Sequence, residues 1–148
     1  MILVQHILEG ARKRLVVLSQ HASVPDAAVI LANPDTPLVV VCDSEGIAVG
    51  VISRMDIVRV FGRARADACN TIAETIMTRT FLSCHVDETL QSVWTTLGVR
   101  GLRCAPVLDS SRRPQGVIHA RDIARALIDE VTNEELLLRD YVLGVGYQ

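Results

Sequence analysis

Gly50-Val51-Ile52-Ser53-Arg54-Met55-Asp56-Ile57 reads as a buried strand running straight into the first turn of a helix, and the chain contains this arrangement twice. The second copy is Gly116-Val117-Ile118-His119-Ala120-Arg121-Asp122-Ile123, and the pairs 50/116 and 56/122 both lie 66 residues apart. The offset holds without a gap from His21/Asp87 through Phe61/Leu127, so the architecture is an internal duplication. The 148 residues divide into a first repeat over 1–66, a second over 67–130 and a tail over 131–148. One repeat is too small to close a core alone, so the two are expected to pack face to face about a pseudo-twofold axis.

Outward from the motif, each repeat reads as β-α-β-β-α, an α+β fold. In the first, Val4 to Leu8 is a short opening segment and Leu15 to Leu18 a short strand. Ser23 is a helix N-cap, with Pro25 and Asp26 both tolerated in the first turn. Asn33-Pro34-Asp35 ends that helix. The run Leu38 to Cys42 has strand length and no polar face, which predicts burial on both sides. Asp43 to Gly46 turns the chain, Ile47 to Ile52 returns, and Ser53 to Gly62 forms the second helix. Arg63 to Asn70 reads as a linker or a helix extension. In the second repeat, Ile72 to Met77 is the opening segment, Phe81-Leu82-Ser83 the short strand and Thr89 the cap. Ala105 to Leu108 is the central strand, Gly116 to Ile118 the return strand and Ala120 to Glu130 the closing helix. The first repeat carries three extra residues between its opening segment and its cap. That insertion holds Arg12-Lys13-Arg14, and the expectation is a solvated surface loop.

Composition narrows the function. An apolar share of 49% with only 3% aromatic residues, and a mean hydropathy of +0.31, predict a β-branched core with apolar surface left over, which oligomerisation would cover. A net charge of −2 offers no general attraction to nucleic acid or to anionic lipid. Met1 to Leu8 has neither the basic flank nor the length of a signal peptide, and no apolar run reaches membrane-spanning length, so a cytoplasmic protein is expected. Cys42, Cys69, Cys84 and Cys104 lack metal or disulfide spacing and read as reduced, mostly buried thiols. No metal site, nucleophile with an adjacent base, or glycine-rich phosphate loop is present, which argues against catalysis. The tail residues Leu136, Leu137, Leu138, Tyr141, Val142 and Leu143 need cover, from this chain or from a second subunit.

Tandem β-α-β-β-α halves carrying Gly-Val-Ile-Ser-Arg-Met-Asp and Gly-Val-Ile-His-Ala-Arg-Asp resemble a pair of cystathionine β-synthase (CBS) domains, the Bateman module, over roughly residues 4 to 130. The resemblance implies a regulatory module that takes an adenosine-containing ligand: AMP, ADP, ATP, S-adenosylmethionine or NAD(H). It implies two clefts between the repeats. In one, Ser53, Arg54 and Asp56 would work with Leu102, Arg103 and Cys104; in the other, His119, Arg121 and Asp122 would work with Thr36, Pro37 and Leu38. A carboxylate in a first helical turn can accept from both ribose hydroxyls, and the helix N-terminus favours a phosphate. It also implies a disc-like homodimer, with the output made by an effector protein.

Two readings compete with this one. Ser53-x-x-Asp56 also fits a capping box that fixes a helix start with no ligand at all. His119 stands where the family pattern has Ser or Thr. It would either donate to a phosphate, with affinity rising as pH falls through the imidazole range, or fill an empty cleft. An empty cleft would make the pair a ligand-free dimerisation scaffold.

Overall fold

The computed structural model describes residues 1–146 and shows the two repeats as two small sheets packed against each other, with helices on their outer faces. In the first half, β1 (Val17–Ser19) runs parallel to β2 (Val39–Cys42), and β2 pairs antiparallel with β3 (Ala48–Ile52). Helices α1 (Leu8–Arg14), α2 (Val24–Leu31) and α3 (Arg54–Ala64) alternate with these strands along the chain. In the second half, α4 (Ala73–Ile76) and α5 (Leu90–Arg100) precede β4 (Cys104–Leu108). Strand β4 pairs antiparallel with β5 (Pro114–His119), which leads into α6 (Ala120–Gly146).

The caps fall where their side chains permit. Ser23 accepts from the Asp26 amide at 3.2 Å, and Thr89 from the Ser92 amide at 3.1 Å. Gly101, at φ 66°, ends α5 in the left-handed conformation that glycine takes without cost. Between the repeats, α3 stops at Ala64 and a 3-10 helix over Arg65–Asn70 carries the chain across.

Burial on both faces of β2 has a direct cause. Val39 and Val41 face a helix-covered core with Ala27, Leu31, Ile52, Ala73 and Met77. Leu38, Val40 and Cys42 face the opposite way, into a layer between the two sheets that includes Val51, Leu108 and Val117. A third core joins Ala105, Val107, Ile118 and Ile123 to Leu90, Val93 and Leu97 of α5.

The opening segments change places. Val4 lies in the core of the second repeat, held by its amide to the Glu88 carbonyl at 2.9 Å. Ala73 and Met77 lie in the core of the first, with the Ala73 amide on the Ala22 carbonyl at 2.7 Å. Each half is therefore completed by the beginning of the other, which couples them more firmly than a face-to-face contact would.

Two expectations are corrected, and one of the two covers expected for the tail drops out. The insertion with Arg12, Lys13 and Arg14 is the last turn of helix α1, where cations suit the negative helix end, and not a loop. It packs on β5 so closely that a Cβ on Gly116 would stand 2.8 Å from the Ala11 carbonyl carbon. Phe81-Leu82-Ser83 does not form a strand. The parallel partner of β4 shrinks to a single bridge at Cys84, whose amide donates to the Pro106 carbonyl at 3.0 Å. The tail does not fold back on its own chain. Helix α6 continues beyond Glu130 without a break, and Leu137, Leu138 and Tyr141 stand 70%, 66% and 71% exposed. Tyr147 and Gln148 of that tail lie outside the described residues.

Candidate functional site

Two cavities open between the repeats, one at each copy of the motif. The first, about 400 Å³, lies over the start of α3 and is walled by Leu38, Val51, Met55, Phe81, Leu102 and Pro106. Cys104 also borders it, with a thiol that burial pushes up against the opposing pull of Arg14 and Arg54. Its polar groups are Ser53, Asp56, Thr78 and Thr80, with Arg59 and Arg100 as cations.

At its base Ser53 and Asp56 form a full capping box. The Ser53 amide donates to Asp56 Oδ2 at 2.9 Å and the Ser53 hydroxyl to the same oxygen at 3.2 Å. The Asp56 amide returns a long bond to Ser53 Oγ at 3.4 Å. Asp56 Oδ1 meets only Arg59, also at 3.4 Å, on a guanidinium that is mostly in solvent. One oxygen of this buried carboxylate thus fixes the helix start while the other keeps accepting capacity beside the cavity.

The second cavity, about 610 Å³, lies over the start of α6. Pro37, His119, Arg121 and Asp122 line it as expected, joined by Pro34 and Asp35 from the loop after α2. His6, Glu9, Lys13 and Arg14 reach it from the opening segment and α1. Arg14 grips Asp122 with both guanidinium nitrogens: Nη2 donates to Oδ1 at 3.2 Å, and Nη1 pairs with Oδ2. His119 Nδ1 accepts from the Arg121 amide at 3.0 Å, which fixes the neutral tautomer with its proton on Nε2. Burial, and then the neighbouring Arg121, Arg14 and Arg103, push this imidazole below its ordinary range.

The remaining sequence candidates go elsewhere. Arg54 turns away from both cavities and donates to the carbonyls of Leu31, Asn33 and Thr36 at 2.8, 2.9 and 3.0 Å, closing the end of α2. Thr36 is buried, lines neither cavity, and offers its carbonyl as one of those acceptors. Leu38 lines the Asp56 cavity rather than that of Asp122. Arg103 borders neither cavity, and its carbonyl accepts the Ala120 amide at 2.7 Å. Sequence reasoning missed Arg59, one turn from Asp56, and Arg14. For Arg14 the signal was present, in a basic run placed on the stretch where the two repeats differ in length.

Burial raises the thiols of Cys42 and Cys84, the latter to about 12, so neither is a nucleophile at neutral pH. Among the described residues no group of three or more His, Cys, Asp or Glu is placed to hold a metal ion. No helix among them is long and apolar enough to cross a membrane.

The profile of the CBS domain matches residues 4–63 and again 72–129, one match for each repeat. The chain belongs to the CBS domain family. It is 33% identical over 103 residues to L-aspartate semialdehyde sulfurtransferase of Methanocaldococcus jannaschii; that match takes in 70% of this chain and 19% of the longer protein. It is 26% identical over 136 residues to an uncharacterized 17.7 kDa protein of Acidianus ambivalens, covering 92% of this chain and 81% of that one. Among solved structures it is similar to the CBS domain pair of protein MJ0100 in complex with 5'-methylthioadenosine and S-adenosyl-L-methionine. The TM-score is 0.74 and the identity 26%, over 88% of this chain and 98% of that one.

Proposed function

We propose that this CBS pair is a regulatory module that binds an adenosine-containing ligand between its repeats and passes the change in shape to an effector protein. One observation carries the reading: the Asp56 carboxylate stands beside an apolar cavity of about 400 Å³ with one oxygen on its own helix cap and the other oxygen available. Leu38, Val51, Met55 and Leu102 offer an adenine the apolar walls it needs, and Asp56 offers the ribose an acceptor. Ser53 and Thr78 supply hydroxyls, and Arg59 and Arg100 a counter-charge for phosphate. AMP, ADP, ATP, S-adenosylmethionine and NAD(H) share the adenosine part that these groups would grip. The related pair of protein MJ0100, with its two adenosine-derived ligands, supports this class.

Calorimetric titration of the whole chain with AMP, ATP, S-adenosylmethionine and NADH tests the reading. Binding by at least one of them, weakened in Asp56→Ala, is the expected result. No heat and no rise in melting temperature at millimolar ligand would sink it, because a compound that binds only the folded chain must stabilise it.

A second reading keeps one cleft empty. The Arg14 and Asp122 pair already satisfies the carboxylate of the second cavity, which suits a scaffold that binds nothing there. In either case we assign the pair a second copy of itself as partner. The face of α6 that buries Ile123 and partly buries Leu127 continues as the exposed Leu138 and Tyr141, an apolar stripe that has outrun its own domain.

A further inference from the structure

We infer that Arg14 sets the ligand class of the Asp122 cleft: by holding both carboxylate oxygens it refuses neutral nucleosides and admits only adenosine ligands that offer it a phosphate in exchange. This rests on the adenosine reading of the clefts and adds a selectivity that the two copies of the motif do not share.

A ribose presents two neighbouring hydroxyl donors, and a carboxylate receives them as a matched pair only across the front of its two oxygens, although each oxygen has two lone pairs. At Asp122 that front is already taken, since the Arg14 fork lies across it with Nη2 on Oδ1 and Nη1 on Oδ2, leaving only the outward lone pairs. The side chains of Arg14 and Asp122 are only 24% and 23% exposed, so water screens the pair weakly. A neutral nucleoside would break this contact and leave the guanidinium with nothing in return. A nucleotide breaks it and gives the guanidinium a phosphate, in a cavity also lined by Lys13 and Arg121. Glu9 and Asp35 line the same cavity and hold its overall charge near balance, so the choice lies with the placing of Arg14 and not with a general positive field.

Arg14 is well mounted for such an exchange. It is the last residue of α1, whose backbone is pressed on β5 at Gly116, so the side chain can swing from a fixed base. The Asp56 cleft has no counterpart. There the nearest cation, Arg59, touches one oxygen at 3.4 Å and is mostly in solvent.

The experiment compares AMP with adenosine on the full chain and on Arg14→Met. Heat is measured by calorimetry, and the His119 imidazole resonances, identified with His119→Gln, report the second cavity. In the unaltered chain AMP should move the His119 signals at concentrations about ten-fold lower than adenosine does, the ratio expected from one charge-assisted exchange. In Arg14→Met adenosine should gain and the gap close to about two-fold, while Arg14→Lys, which keeps the charge but loses the fork, should give a ratio between that of Arg14→Met and that of the unaltered chain. Equal response to both compounds in the unaltered chain, or a ratio that survives Arg14→Met, overturns the inference. Should Arg14→Met fail to fold, Arg14→Lys decides: it must relax the discrimination because an ammonium cannot hold both oxygens in the same fork. If AMP binds at Asp56 but the Arg14 variants leave the His119 response unchanged, only the role of Arg14 falls. If neither compound binds in either cleft, the adenosine reading falls with it.

Discussion

Asp56 Oδ2 belongs to the cap of α3, while Oδ1 faces the cavity with only a distant guanidinium near it. Asp56→Ala should therefore cost about 0.5–2 kcal/mol of stability through the lost cap and weaken an adenosine ligand as well. Asp56→Asn separates the two effects. An amide oxygen can still accept the Ser53 amide, so chemical denaturation should show a smaller loss than for Ala, whereas ligand affinity should fall by about 1.5–3 kcal/mol with the charge. Equal stability loss in both variants would mean that the carboxylate charge, not the acceptor geometry, holds the helix start. Arg54 has the opposite character. With its guanidinium committed to three carbonyls, Arg54→Met should destabilise the chain by about 1 kcal/mol and leave the dissociation constant unchanged. For His119, the lowered pKa means the unfolded chain binds more protons than the folded one between the folded value and the ordinary value near 6.5. Its contribution is thus intact above the ordinary range and is lost as pH falls from there toward the folded value. Thermal unfolding from pH 7 to pH 5 should show a shallower decline for His119→Gln than for the unaltered chain. The same shift moves any pH-linked phosphate donation by His119 below the ordinary imidazole range.

At the level of elements, the two copies of the motif differ in what covers their return strands. Strand β3 is bordered by the extended residue Thr78, which exchanges two backbone bonds with Val51 at 2.9 and 3.1 Å. Strand β5 is covered by helix α1. The two motif glycines then face unequal neighbours. A Cβ on Gly50 would meet the Met77 side chain, whose sulfur would be 2.5 Å away but whose thioether can move aside. A Cβ on Gly116 would meet the backbone of Ala11, which cannot yield without displacing the helix. Gly116→Ala should therefore cost about 1–3 kcal/mol in chemical denaturation, and Gly50→Ala clearly less. A larger loss at Gly50 would show that Met77 is locked in place. The repeat told that both glycines occupy equivalent positions; it could not tell what approaches each, because the approaching segments lie in the one region where the repeats differ in length.

Across the whole molecule, three apolar cores hold two sheets and their helices together, and the crossed opening segments tie the halves to each other. The doubled fold, most of its strands and the helix starts at Ser23, Ser53 and Thr89 were legible from the sequence, since caps and hydrophobic period depend on residues close together in the chain. The direction of the tail was not. Its apolar run said that cover was needed, yet nothing local distinguishes a helix that folds back from one that continues. Helix α6 carries 16 residues past Glu130, about 24 Å of helix at 1.5 Å per residue. With Leu138, Tyr141 and Val142 exposed along it, the proposed self-association predicts a full chain that is dimeric by light scattering and a chain ending at Glu130 that is monomeric. A truncated chain that stays dimeric would move the interface elsewhere, for which Met55 and Val58 on the outer face of α3 are the next apolar candidates.

By itself the sequence determined the duplication, the α+β class and the cap of the first motif helix, because hydrophobic period and cap chemistry act within a few residues. Tertiary structure alone decided that Leu38 serves the Asp56 cleft, that Arg54 serves a helix end, and that Arg14 closes on a carboxylate 108 positions away. The physical reason is one of range. A strand or a cap is selected by its neighbours in the chain, whereas the partner of a charged side chain is selected by whichever surface the packing brings beside it. In this molecule, three added residues gave two copies of one motif different surfaces.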